Sequence, residues 1–458
     1  MNTIIPKEDQ TAEDQPAKDQ PANDQPAEDQ TAEDQPANDQ PTDDQPAEDQ
    51  PAEDQGLNRS YLRMKLKLKY KMNQSNYTMF KSLQSGNNLD ISSCYALSSL
   101  AGLEYFPNTE LLDLENLRKI FSIEELANLY KLKKLNLAGM SELTSIAPLQ
   151  LLIKLELLVL DRSRLITRIE VLSKLTNLVE LHMSGLHIHN VNSLRQLYKL
   201  EILFMTDCDK LVSIKPVEGL VKLKILDIAG CVNLDSLDPL SYLINLTALN
   251  LGRLTQFNRI EVLNKLSKLK ILNLDGSVNI DNIGPVAKLT NLEELNMNGL
   301  FNVPDLTPLS KLTKLQGLSL ESMTNLTNLS ALQGLFKLEE LTLSNLSNVT
   351  SLPPLKGLLQ LNLLDMSGMN KLSGMQSFPP NVQELDLSGC HNIPNIMDLL
   401  ALLSQLTILD LTDCTQEISL KSLLEHLCNL NKLGIQGCDN IIDRLTKLPP
   451  KLQIITYE

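Results

Sequence analysis

Tryptophan is absent from this sequence, and all aromatics together amount to 4% of it. A binding surface anchored on clustered Trp and Tyr is thereby excluded, and any core has to be filled with aliphatic side chains. No apolar run approaches the roughly 18–20 residues of a membrane span. The first ten residues, Met1 to Gln10, turn acidic without a long apolar stretch, so no cleavable secretory signal is expected. The seven cysteines include no C-x-x-C pair, which leaves the usual zinc-ligand spacing unfilled. Also missing are G-x-x-x-x-G-K-[S/T], H-E-x-x-H, G-x-S-x-G and any Gly-rich phosphate loop. These absences point away from an enzyme and away from a cofactor. They favour a cytoplasmic protein, or one exported without a cleavable signal, whose Asn-X-Ser/Thr triplets such as Asn245-Leu-Thr247 stay unmodified.

Excess charge is missing from most of the chain as well. The formal net charge is −15, but residues 8–55 hold 17 acids and one Lys, a net of −16. With Lys7 adding +1, residues 56–458 sum to zero. A body without net positive charge argues against nucleic acid, whose phosphates need a clustered basic surface. The acidic segment repeats five residues from Glu8 to Gln55, as in Glu-Asp-Gln-Pro-Ala, with no aliphatic larger than Ala. It cannot bury enough apolar surface to offset the entropy of ordering, so residues 1–55 are expected to form a disordered acidic tail. Residues 62–72 then alternate strictly between apolar and basic, Leu62-Arg-Met-Lys-Leu-Lys-Leu-Lys-Tyr-Lys-Met72. That is a strand period, and its place within residues 56–88 suits an N-terminal cap on the leucine-rich remainder of the chain. A partner patch, an anionic-surface patch and a nuclear-import-like signal are the other uses of such a run.

What the sequence has in abundance is leucine on a fixed beat. Apolar anchors recur from Ile91 and Leu114 through Leu251 and Leu274 to Ile435 and Tyr457, seventeen in all and mostly 23 residues apart. Each anchor closes a Leu-x-Leu pair, and another apolar residue sits three positions before the pair, as Leu223 does before Leu226. No single unit can bury such residues, so the units must stack and pair their strands in parallel. The segment Ile228-Ala-Gly-Cys-Val-Asn-Leu-Asp-Ser-Leu-Asp-Pro-Leu240, continuing to Leu251, resembles a leucine-rich repeat of the short class. The Ile/Leu-x-Pro-Leu segments at 237–240, 306–309 and 352–355 are similar to the phosphatase-regulator and internalin-like subclass. The resemblance covers about residues 89–458. It implies an α/β solenoid of about 16–17 repeats, with a parallel sheet on the concave face and tight turns or short helices on the convex one. It also implies a non-catalytic protein–protein interaction module: an adaptor, scaffold or regulatory subunit. The Pro-Pro segments after Phe378 and Leu448 faintly resemble secreted bacterial effectors, which gives a host-directed effector as the alternative. A thiol- or histidine-dependent enzyme is the alternative of another class.

Six cysteines (94, 208, 231, 390, 414 and 438) fall three residues after an anchor, where Met140, Leu186 and Leu300 stand in other repeats. A slot shared with Met and Leu reads as buried and apolar, so Ser at Cys231 is expected to cost more than Ala. Cys428 lies outside that register. His182, His187 and His189 cluster without a carboxylate or thiol to complete a metal site.

Strand alternation puts the residue between the paired leucines on the concave face. That column includes His182, Phe204, Asp227, Asn250, Asn273, Asn296, Asp365, Asp386 and Asp410. A neighbouring column adds Glu293, Glu294, Glu339, Glu340, Gln383 and Glu384. The face is thus expected to be polar, to turn acidic towards the C-terminus, and to receive a protein partner, possibly a basic one. Filling by ordinary repeat consensus is the competing account of the same Asp and Asn residues. The chain stops inside its final unit, an end that is expected to fray or dimerise.

Overall fold

The computed structural model describes residues 86–103, 106–443 and 449–455. The acidic tail (1–55), the alternating basic strip (62–72) and nearly all of the cap region (56–88) lie outside them, as does Tyr457.

The described residues run as consecutive coils. Each Leu-x-Leu pair lies in or beside a three-residue strand, from Asn88–Asp90 and Leu111–Asp113 to Lys432–Gly434 and Gln453–Ile455. Seventeen such strands form one parallel sheet in which each strand between the two end ones pairs with the coil before and the coil after. Leucines set the register: Leu112 lies opposite Leu135, and Leu226 opposite Leu249. A slip of one residue would turn this whole row out to water. The inward side chains are almost completely covered; Leu226, Ile228, Leu249 and Leu251 are at most 2% exposed.

Across the core from the sheet, most coils close through a short 3-10 turn. Examples are Ala147–Leu151, Asp238–Tyr242 and Thr307–Lys311, each with a proline in its first two positions and one buried leucine. Proline fits there because the first amides of a helical turn have no internal partner to lose. The last coils substitute short α-helices, Ile396–Leu400 and Leu420–His426. A second small sheet pairs Ile418–Ser419 with Ile441–Asp443.

Two positions after the anchor, the chain reverses through a left-handed residue, such as Asn116 (φ 61°), Arg253 (φ 58°) or Gly230 (φ 69°). Gly230 is needed on a second count. A Cβ there would overlap the Asp207 carboxylate, which the Arg253 guanidinium bridges at 2.9 Å from two coils away.

The cysteine slot is buried, as its sharing with Met and Leu implied; Cys208, Cys231, Cys390 and Cys414 are 0% exposed. It is not purely apolar, however. Cys231 Sγ donates to the Met205 carbonyl at 3.1 Å, and Cys390 Sγ to that of Met366 at 3.1 Å. Ser163 and Ser277 occupy the same slot, also buried, and donate to the carbonyls of Leu137 and Leu251 at 2.9 and 2.8 Å. Each serine also accepts the amide of the equivalent residue one coil earlier, Met140 or Leu254, at 3.1 Å. Burial pushes the thiols of Cys390 and Cys414 up to about 12, so they remain protonated donors. On the surface, asparagines link coils in the same manner. Asn233 and Asn302 each donate to a carbonyl 24 residues earlier, Asp209 and Val278 respectively.

The last strand departs from the expected spacing. Ile454, not Ile455, lies opposite Leu433, because no residue separates Leu452 from its strand where Asn431 separates Leu430 from Lys432.

Two outcomes are expected. Leu249→Ala should cost about 2–5 kcal/mol in denaturant unfolding, the range for a fully buried leucine in a packed core. Contrary to the sequence-based expectation, Cys231→Ser should be tolerated better than Cys231→Ala. The hydroxyl repeats the bonds of Ser163 and Ser277, whereas Ala forfeits roughly 1 kcal/mol of hydrogen bonding; paired thermal melts will order the two.

Candidate functional site

The first and third residues of every strand share the face of the sheet turned away from the core. All nine predicted site residues occupy third positions, set side by side by the ladder. His182 lies beside Phe204 and Phe204 beside Asp227; Asp365, Asp386 and Asp410 follow one another. Their local chemistry is more specific than a polar lining. Asp227, Asn250, Asn273 and Asn296 each accept, through Oδ1, the backbone N–H two residues on, at 2.9–3.0 Å. Asp365, Asp386 and Asp410 accept those of Ser367, Ser388 and Thr412 at 2.8–2.9 Å. The Asp/Asn column therefore supports the turn that ends each strand, through a local bond typical of these residues.

At two coils where another side chain takes that place, an earlier coil substitutes. Ser184 N–H donates to Asp161 at 2.7 Å beside His182, and Glu321 N–H to Asn298 at 2.9 Å beside Ser319. One predicted residue is covered on that face. Asp410 is 4% exposed and leans over the side-chain-free Gly434, so it presents no carboxylate to a partner.

His182 and Phe204 make a compact pair, with ring centroids 4.7 Å apart and planes tilted by 49°. His182 Nε2 is 2.7 Å from Glu180 and Nδ1 3.8 Å from Asp161. Burial opposes the imidazolium, but the two carboxylates outweigh it and raise the pKa above its ordinary value. His187 and His189 lie in the turn that follows, with His187 Nε2 3.9 Å from Asp209. Cys428 is exposed, in the turn that leads into Lys432–Gly434.

The first strand positions change the character of the face. From the fourth to the ninth coil they are mostly aliphatic, with Leu157, Ile202, Ile225, Ala248 and Ile271. All are half-buried except Ile271, which is 48% exposed. In the later coils Glu294, Glu340 and Glu384 take the same position, alternating with Gly317, Leu363 and Ile408. Glu293 does not belong to that column: it sits in the preceding turn and pairs with Lys270 at 2.8 Å. Between Glu294 and Glu340, Gly317 leaves an open depression of about 340 Å3. Burial, then the carboxylates of Glu340, Glu339 and Glu293, raise the Glu294 pKa.

A stacked parallel sheet with one short turn per coil has counterparts among solved structures. An internalin from Listeria monocytogenes is 25% identical, covering 69% of this chain and 83% of that one, with a TM-score of 0.51. A leucine-rich-repeat protein from Leptospira interrogans is 22% identical over 79% of this chain and 99% of that one, with a TM-score of 0.50. This is a leucine-rich-repeat solenoid. No family model and no curated protein matches the sequence. Among the described residues of the solenoid, no helix is long and apolar enough to cross a membrane.

The face yields one pH-linked test. Burial raises the Asp386 pKa, and the carboxylates of Asp365 and Asp410 add to it, while Ser388 opposes them. The folded state thus takes up this proton more readily than the unfolded chain, so the ionised group weakens the fold above its folded pKa and the penalty is relieved as pH falls through it. Asn keeps the turn bond, as Asn250 and Asn273 show. Asp386→Asn is expected to melt higher than wild type at pH 7, with the gap closing towards pH 3.

Proposed function

We propose that the chain is a non-catalytic protein–protein interaction module, an adaptor, scaffold or regulatory subunit. Its partner docks on the open face of the sheet between Leu157 and Asp386. The observation that carries this is the aliphatic column at the first strand positions. Ile271 is 48% exposed beside an Asp/Asn column bonded to its own turns, and Ile202 and Ile225 continue its row. Apolar side chains gathered in one zone of a surface are the usual signature of a docking patch.

The carboxylates at the C-terminal side of that patch define the partner further. The Glu294 carboxylate leans over the side-chain-free Gly317 on the side of Glu340, where a lysine or arginine side chain would relieve their repulsion. The partner is therefore a polypeptide that places apolar side chains over Ile202, Phe204, Ile225 and Ile271 and a basic one over Gly317. Asp227, Asn250, Asn273 and Asn296 contribute mainly by holding the turns beneath it. Aspartates 365 and 386 extend the acidic side.

Quantitative capture on the immobilised full-length chain tests this. Ile225→Glu with Ile271→Glu, and separately Glu294→Lys with Glu340→Lys, are each expected to lower partner affinity at least about tenfold, the effect of losing one interface anchor. Glu261→Lys, on a 3-10 turn across the core from the sheet, is the control and is expected to bind as wild type. Capture that survives both double substitutions would remove the open face from the proposal.

A further inference from the structure

Neither the leucine spine nor the open face accounts for the composition of one lateral edge, the two-residue turn that leads into each strand. Its first position holds Tyr130, Ile153, Tyr198, Val221, Ile244 and Phe336, all between 51% and 61% exposed. Its second position holds Lys131, Lys154, Lys199, Lys222 and Lys337 after five of these and Lys268 after Ser267, while Ile244 is followed by Asn245. Among the described residues none of these six lysines lies within ion-pair distance of a carboxylate. Three of them donate instead to neutral amides: Lys131 to Asn108, Lys199 to Asn177 and Lys268 to Asn245, at 2.6–2.7 Å. The contrast with the lysines two residues further along is sharp. Lys133 and Lys224 are each neutralised, by Glu110 at 2.8 Å and Glu201 at 2.6 Å, and Lys270 by Glu293 at 2.8 Å. In a body whose charges sum to zero, this edge collects lysines that close no direct ion pair beside a row of exposed apolar tips.

We propose that this edge docks on the surface of an anionic lipid bilayer. From Tyr130 to Phe336 the row crosses nine strand spacings, about 43 Å at ~4.8 Å each, and five of its ten turns carry the apolar–lysine pair, at 130/131, 153/154, 198/199, 221/222 and 336/337. A bilayer surface satisfies both halves of that motif at once. Anionic headgroups meet the lysines, while Tyr, Ile and Val side chains enter the boundary between headgroups and acyl chains. Nucleic acid would match the lysines and leave Ile153, Val221 and Ile244 idle. Lys222, Lys224 and Lys268 also border a depression of about 340 Å3 whose lining includes Asn245 and Thr247, with room for one phosphate-bearing headgroup. The one carboxylate there, Glu201, is already bonded to Lys224 at 2.6 Å. Attachment is peripheral, and it leaves the open face of the sheet free.

The test is co-sedimentation of the full-length chain with vesicles of phosphatidylcholine alone and of phosphatidylcholine with phosphatidylserine, at low and high salt. Sedimentation is expected with the anionic vesicles only, weakening as salt rises. Lys199→Glu with Lys222→Glu and Lys268→Glu is expected to weaken it at least tenfold. Tyr198→Ser with Ile244→Ser is expected to weaken it several-fold while leaving the salt dependence unchanged. Glu294→Lys with Glu340→Lys, on the open face, should not reduce it. All the altered positions on the edge are exposed, and a thermal melt of each variant confirms that the fold persists.

The basic strip could itself reach an anionic surface, so Lys65→Gln with Lys67→Gln and Lys69→Gln is measured in parallel. The proposal is overturned by absence of sedimentation, by equal sedimentation with neutral vesicles, or by loss confined to the strip variant. It is equally overturned if the lysine triple variant sediments as wild type. Binding of soluble polyglutamate that depends on both edge columns, without vesicle binding, would reassign the edge to an acidic protein.

Discussion

Every feature of this molecule depends on a leucine that its own coil cannot cover. Leu226 and Leu249 are withdrawn from water only because they lie opposite each other in adjacent strands, with further coils on either side. The hydrophobic contribution of such a side chain, about 1.5–3 kcal/mol when fully buried, is thus a property of neighbours and not of a unit. The same dependence governs the polar groups. Many turn amides are satisfied by an Asp or Asn of the same coil, and two, those of Ser184 and Glu321, by one 23 residues earlier. Carbonyls beneath the cysteine slot receive Sγ–H or Oγ–H from the next coil. Stacking satisfies the backbone and the core in one step.

That arrangement divides the surface into independent columns, because one repeat position always lands on the same side. The column at the third strand position is committed to the turns, which explains its Asp and Asn without reference to a partner. The first position is free of that duty, and it is there that an aliphatic run, Ile202 to Ile271, gives way to glutamates 294, 340 and 384 alternating with Gly317, Leu363 and Ile408. The edge turn is free as well, and it carries lysines next to apolar tips. Positions released from structural work are where recognition can be written.

The period, the spine, the parallel sheet and the buried cysteine slot were all legible in the sequence, because each is a matter of which residues recur and how far apart. The donor role of that slot was not, since a thiol among Met and Leu looks apolar until the carbonyl under it is located; Ser163 and Ser277 were the visible clue. The third-position column was placed on the correct face, yet its bonds to amides two residues on are a matter of geometry and not of periodicity. The aliphatic first column was within reach of the same alternation rule. Attention to charge picked out Glu294 and Glu340 and passed over Ile202, Ile225 and Ile271 in equivalent positions. The early register at Ile454 comes from a missing spacer residue after Leu452, a local shortening that a fixed beat conceals.

The uneven coils carry a lesson about how such a chain can vary. The strands His182 and Phe204 belong to begin 22 residues apart, Leu363–Asp365 and Glu384–Asp386 begin 21 apart, and in both cases the leucines still meet in register. Length differences are absorbed in the turns and never transmitted to the ladder. Whole coils can accordingly be gained, lost or traded between relatives as modular inserts, lengthening or recombining the surface columns while the remainder of the chain keeps its fold.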